Sequence, residues 1–146
     1  MNRSISRALS SCAVALALAA CGQREGTGPS FTRNEPSEIF LVQAAPPTFV
    51  MDALFQGRVS RDLQGCLRLE GGDRYTVIWP HGFTLAERGD ELFVKDAAGR
   101  DVGRIGGSFR FGGGETATLH AGVVSDESRQ LAESRCPGRY WIVGEV

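Results

Sequence analysis

The sequence predicts an all-β domain of short antiparallel strands, closed into a small barrel or stacked as a compact sandwich. Three observations predict it. Glycine occurs 19 times in 146 residues, always past residue 20, which favours a turn-dense β structure over a helical bundle. Apolar residues make up 42%, enough to exclude wholesale disorder. From residue 48 onward, short apolar alternations recur between turn residues, the pattern of consecutive strands. The length allows one ordinary domain and no more.

The elements follow in order. Between Cys66 and Glu70 the two leucines share one face, while Cys66, Arg68 and Glu70 share the other, so one face is buried and one is wet. Gly71-Gly72-Asp73 turns the chain, and Tyr75 to Trp79 forms the next strand. Pro80-His81-Gly82 breaks it, after which Phe83 and Leu85 alternate with polar neighbours. Glu91 to Lys95 and Val102 to Ile105 flank Asp96-Ala97-Ala98-Gly99, a hairpin signature. Phe109 and Phe111 alternate next, the glycines at 112–114 read as a turn or bulge, and Ala117, Leu119 and Ala121 alternate with polar residues. Ser125 to Arg135 is polar and reads as a loop or one or two exposed helical turns. Cys136-Pro137-Gly138 stops it, and Tyr140 to Val143 is a closing strand, apolar on both faces, that suits a core-lining position. Seven or eight strands of four to six residues result. Closure removes exposed edges best, so a five-stranded barrel of the OB type with extra hairpin strands is the first expectation.

The amino-terminal residues carry an address. Met1 to Arg7 is short and basic, and Ala8 to Ala20 is free of charge. Thirteen such residues fall short of the about 20 that span a bilayer, so residues 1–20 read as a secretory signal and not a membrane span. Leu18-Ala19-Ala20-Cys21 closes the signal and resembles the lipobox of bacterial lipoproteins. That resemblance implies a diacylglyceryl group on the Cys21 sulfur, cleavage just before it, and attachment to the membrane through lipid. At roughly 0.8 kcal/mol per buried methylene, two or three acyl chains anchor effectively irreversibly. Gly22 departs from the aspartate that holds enteric lipoproteins at the inner membrane, which favours the outer membrane in a cell that has two. Residues 21–47 then form a lipidated tether interrupted by proline and glycine, and 48–146 the β domain. Within the tether, Glu38 to Ala45 is apolar enough to pack on the domain or add an edge strand.

Cysteine arithmetic follows from the signal. Cys12 leaves with the leader and Cys21 carries lipid, so Cys66 and Cys136 remain, and an exported pair is most simply a disulfide. The alternative, a metal site, lacks CxxC spacing and enough histidine. No HExxH or calcium loop occurs, and neither metal nor other cofactor is expected.

Gly65-Cys66-Leu67, Trp79-Pro80, the glycines at 112–114 and Cys136-Pro137-Gly138 before Tyr140-Trp141 resemble small exported bacterial β-domains over roughly residues 55 to 146. The resemblance implies a fold and no activity.

The search for chemistry finds little. Removing Arg3 and Arg7 with the leader leaves 14 basic against 17 acidic side chains, a net charge of −3 that argues against a phosphate-binding surface. The aromatics alternate onto the apolar face and the arginines are interspersed with acids, so no nucleic-acid partner is expected. The Gly112–Gly114 run lacks the lysine and hydroxyl of a phosphate loop, and Glu115 would repel phosphate. Asp90 and Glu91 are neighbours that point to opposite faces. His120 falls on the polar face of an expected strand. His81 stands between Trp79 and Phe83, which could frame a shallow aromatic pocket, the one candidate ligand site. The expectation is a non-enzymatic envelope lipoprotein that contacts a protein or glycan through a loop edge. Its rival is an envelope hydrolase or ligand-binding enzyme with a site near His81, Trp79 and Asp90.

Overall fold

The computed structural model describes residues 37–48, 51–71, 73–144 and 146. The signal, Cys21 and Gly22 lie outside the described residues. In chain order the elements are β1 (Leu41–Val42), β2 (Ala53–Arg61), β3 (Leu67–Leu69), β4 (Thr76–Trp79), β5 (Thr84–Arg88), β6 (Glu91–Lys95), β7 (Asp101–Arg104), β8 (Ser108–Thr116), α1 (Asp126–Arg135) and β9 (Tyr140–Val143).

Five of these close a barrel. Strands β2, β3 and β4 follow one another antiparallel, with Val59 opposite Leu69 and Arg68 opposite Thr76. Strand β4 then pairs in parallel with β9, Val77 beside Trp141. Strand β9 runs antiparallel to β8, and β8 antiparallel to β2, with Phe55 opposite Phe111. The ring is complete, and of the two expected architectures it is the OB-like barrel. A parallel pair needs a long crossover, and here it contains the β5–β6–β7 sheet, β8 and α1. The small sheet is two tight hairpins. In the second, Asp96 Oδ1 accepts from the backbone N–H groups of Ala98 and Arg100, both at 2.9 Å.

Alternation sorts the side chains into two cores. Val59, Leu67, Leu69, Val77, Trp79, Phe109, Phe111, Trp141 and Val143 form one cluster, joined by Val94 of the small sheet. The opposite faces of β4 and β9 supply Ile78, Tyr140 and Ile142 to a second cluster with Ile39, Leu41, Leu119, Val124 and Ala132. Strand β9 thus has both faces buried, as its unbroken apolar sequence requires. Cys66 and Cys136 form a disulfide inside the second cluster, joining the start of β3 to the end of α1.

The Glu38 to Ala45 stretch packs on the barrel. Leu41 lies in parallel beside Ile78 and Ile39 bridges to Cys66, so β1 extends the barrel sheet past the end of β3. The N–H groups of Gln43 and Ala44 still bond to Trp79 O and Val123 O, and such pairing stops before Pro46 and Pro47, which have no N–H to give.

Four local expectations need correction. Ser125 to Arg135 is a full α-helix after its cap: Ser125 accepts from the Ser128 N–H, acids occupy its first turn and Arg135 its last, and Ala132 is its buried contact. The Ala117 to Ala121 alternation is not a strand; Leu119 is buried from a loop. The glycines at 112–114 sit inside β8 and turn nothing. Strand β2, absent from the expected elements, runs nine residues, as does β8.

Candidate functional site

A cleft of about 320 Å³ opens where the β1 segment, the loop before β2, the 121–123 turn and the end of β9 meet. Each wall has a local cause. The rings of Pro46 and Pro47 fix φ, and the pair supplies apolar surface without hydrogen-bond donors. Val123 is placed by its N–H to His120 O at 3.2 Å, and its own carbonyl accepts from Ala44 N at 3.0 Å. Ile142 belongs to the outward face of β9, and Met51 leans on Gly114. Among the described residues that line it, none carries a charge.

Gln43 and the exposed Thr48 are the polar side chains of the wall, and Gln43 is only 5% exposed. Burial of a carboxamide is costly unless it is hydrogen-bonded, and three bonds fix this residue. Its N–H donates to Trp79 O at 2.9 Å, its backbone carbonyl accepts from Nδ1 of His81 at 3.1 Å, and its Nε2 donates to Val143 O at 2.6 Å. The bond from His81 requires a hydrogen on Nδ1, because a carbonyl can only accept. His81 therefore buttresses the cleft from behind.

The predicted aromatic pocket is a different matter. Trp79 is fully buried, stacked between Phe40 at 5.8 Å and Phe83 at 6.4 Å, with Phe109 and Phe111 beyond. The alternation that sends Ile78 outward sends Trp79 inward, so Trp79 presents no face to a ligand. Phe83, half-buried, lines a broad polar depression with Pro80, Asp96, Arg100 and Arg110 instead. Asp90 lies in yet another depression, with Glu38, Glu87 and Arg104, and does not join His81. Glu91 pairs with Arg104. His120 is exposed.

Two charged arrangements stand apart from these depressions on the surface. Tyr75 donates to the Glu115 carboxylate, while Arg139 bonds Asp73 at 2.9 Å and Glu115 at 2.6 Å and lies over the Tyr75 ring. The hydrogen bond to Glu115 first, then partial burial, pushes the Tyr75 phenol up to about 12. Its polar groups are turned on one another over Trp141, 5.8 Å from the Tyr75 ring, which makes a clamp rather than an open site. The second arrangement fixes the turn before β3. Partial burial raises the Asp62 carboxyl, but the Arg68 bond at 2.9 Å and the Cys66 and Gln64 amides outweigh it, leaving the group below its ordinary range. On that base Leu63 stands 91% exposed.

The sequence does not mark the cleft, because Gln43 falls in the tether. Its signal was one glutamine inside an apolar run. No protein family, curated protein or solved structure matches the chain.

Proposed function

We propose that the protein is an exported, lipid-anchored binding domain that holds a small apolar ligand in the Gln43 cleft. The observation that carries the binding reading is the cleft itself: a largely apolar concavity, uncharged among the described residues, with the polar side chains of Gln43 and Thr48 in its wall, the usual composition of a small-molecule site and near the lower end of the usual size. The address rests on the lipobox ending at Cys21, and the Cys66–Cys136 disulfide supports an oxidising compartment. In a cell with two membranes Gly22 favours the outer one. No catalytic step enters this reading. The Asp62–Gly65 turn, with Leu63 projecting from a braced base, is the loop edge that suits contact with an envelope component.

The test separates anchor from domain. Cys21→Ala should abolish fatty-acid labelling and membrane association while the thermal transition of the purified domain stays unchanged. Mass spectrometry that found residues 1–20 still attached, or an unacylated amino terminus elsewhere, would remove the anchored reading.

A further inference from the structure

We infer that the domain rests on the lipid surface that holds its anchor, meeting anionic headgroups through the Leu63 turn and the end of α1; the inference rests on the reading of Cys21 as the lipidated residue. What carries it is the place where the tether leaves the domain. Ile39 donates to Gly65 O at 2.8 Å and Glu38 pairs with Arg61, so residues 37–39 lie against the turn that bears Leu63. From Cys21 to Ser37 is 37 − 21 = 16 residues, which reach at most about 55 Å at full extension. The acyl chains thus draw this end of the domain to the bilayer. The cleft lies at the other end of β1, which runs from Ile39 beside Cys66 to Gln43 beside Trp79.

The surface at that exit suits a headgroup layer. Leu63 is 91% exposed against 58% for Leu54, and its turn is already pinned by the Asp62 bonds to the Gln64 and Cys66 amides and to Arg68, with the disulfide next to it. Docking such a turn costs little ordering. Leu131, 40% exposed, stands one helical turn from Arg135 on the same face of α1, and Arg135 ties that face to the turn by donating to Gln64 O at 3.1 Å. Among the described residues neither Arg135 nor Arg74, which shares a depression with Asp62 and Gln64, pairs with a carboxylate, so both can meet headgroup phosphates. The nearby acids Glu38, Asp62 and Asp73 are each held by an arginine of their own. Glu87 and Asp90 line the separate depression beyond Glu38, which sets the tilt: the turn meets lipid on its Arg74 and Arg135 side. A flat anionic layer accepts two spaced leucines and two arginines without a shaped pocket.

The experiment uses the mature acylated protein, its acyl mass confirmed, reconstituted in vesicles of phosphatidylcholine alone or of an equal mixture with phosphatidylglycerol, both carrying a lipid with a quencher at headgroup depth. An environment-sensitive fluorophore is placed on Leu63→Cys, and a reference label on Ala98→Cys, in the exposed hairpin that lines a depression with Pro80 past the far end of β4. On the mixed vesicles the Leu63 label should shift to the blue and lose emission to the quencher, while the Ala98 label does neither. Arg74→Gln and Arg135→Gln should each lower the docked-to-free ratio at Leu63 about fivefold, the worth of one arginine near an anionic surface. Should a labelled variant fail to fold, the backbone amide of Leu63 in the unlabelled protein decides, since it should exchange more slowly on the mixed vesicles than on phosphatidylcholine alone. Equal emission at Leu63 and Ala98 overturns the inference and leaves the turn to a protein partner with the anchor intact. Equal quenching of Leu63 on the two vesicle types overturns the role of the arginines. If the mature protein carries no acyl mass, the anchored reading falls first and this inference with it.

Discussion

A methyl group built on Gly113 would stand 2.2 Å from the carbonyl oxygen of Ile142 and 2.6 Å from Nε1 of Trp141. Neither neighbour can retreat, since one is backbone of the adjoining strand and the other is an indole in a residue 8% exposed. Gly113→Ala should therefore cost about 3 kcal/mol by overpacking, read as a lower urea midpoint. Gly89 supplies the control: with φ at +61° and nothing within 4 Å of an added Cβ, Gly89→Ala should cost about 1 kcal/mol from conformation alone. Equal losses at the two positions would show that close packing at the β8–β9 seam is not what selects glycine. The two tyrosines of the chain make a second prediction at this scale. Burial raises Tyr140, and the Glu115 hydrogen bond raises Tyr75 to about 12. An ultraviolet titration of the folded protein should show no full tyrosinate step at the ordinary value of 10.0. The sign for stability follows: the unfolded phenol releases its proton near 10 while the folded one keeps it, so the Tyr75 contribution is complete below that pH and is lost as pH climbs toward about 12. Tyr75→Phe should flatten that part of the alkaline profile; an unchanged slope would mean the Glu115 contact does not hold the proton.

At the scale of elements, what could be read depended on whether an element's own sequence decides it. Strands β4, β6 and β9 announce themselves because their apolar residues alternate or run unbroken and each packs at least one side. Strand β2 does not. Ala53 to Arg61 is exposed at five of nine positions and fully buries Val59 alone, so it is a strand because β3 and β8 both pair with it, a decision made by partners distant in the chain. Helix α1 is the converse. It buries just Ala132, so no amphipathic stripe advertises it, and its stability comes from the Ser125 cap and charges suited to the helix dipole. The cleft was the least legible feature. Its walls come from residues 43, 45–48, 51, 121–123 and 142–144, and no spacing along one segment could bring those together. Trp79, His81 and Phe83 are spaced by two, as residues on one strand face would be, but β4 ends at Trp79 and the His81-Gly82 turn breaks the alternation, so Trp79 stacks inside with Phe83 while His81 stays exposed.

The whole domain is held by a crosslink whose ends are fixed independently of it. Cys66 follows a turn in which Asp62 accepts from two backbone amides and pairs with Arg68, the side chains being 11% and 12% exposed. Cys136 ends α1 with its N–H on Ala132 O at 2.8 Å, and Arg135 reaches back to Gln64 O at 3.1 Å. Without the bond, both cysteine sites retain their local hydrogen bonds, so the folded state changes little and the effect falls on the unfolded chain. Joining residues 70 apart removes loop-closure freedom worth roughly 4 kcal/mol. The paired substitution Cys66→Ala and Cys136→Ala should thus lower stability by about that amount and the thermal midpoint by on the order of 20 °C. The mechanism has its own signature, because a chain freed of its crosslink exposes more surface when it unfolds. The urea m-value should rise in the variant, while the folded state keeps its near-ultraviolet spectrum. A loss below about 1 kcal/mol with an unchanged m-value would place the stabilisation in the packed cores and not in the crosslink.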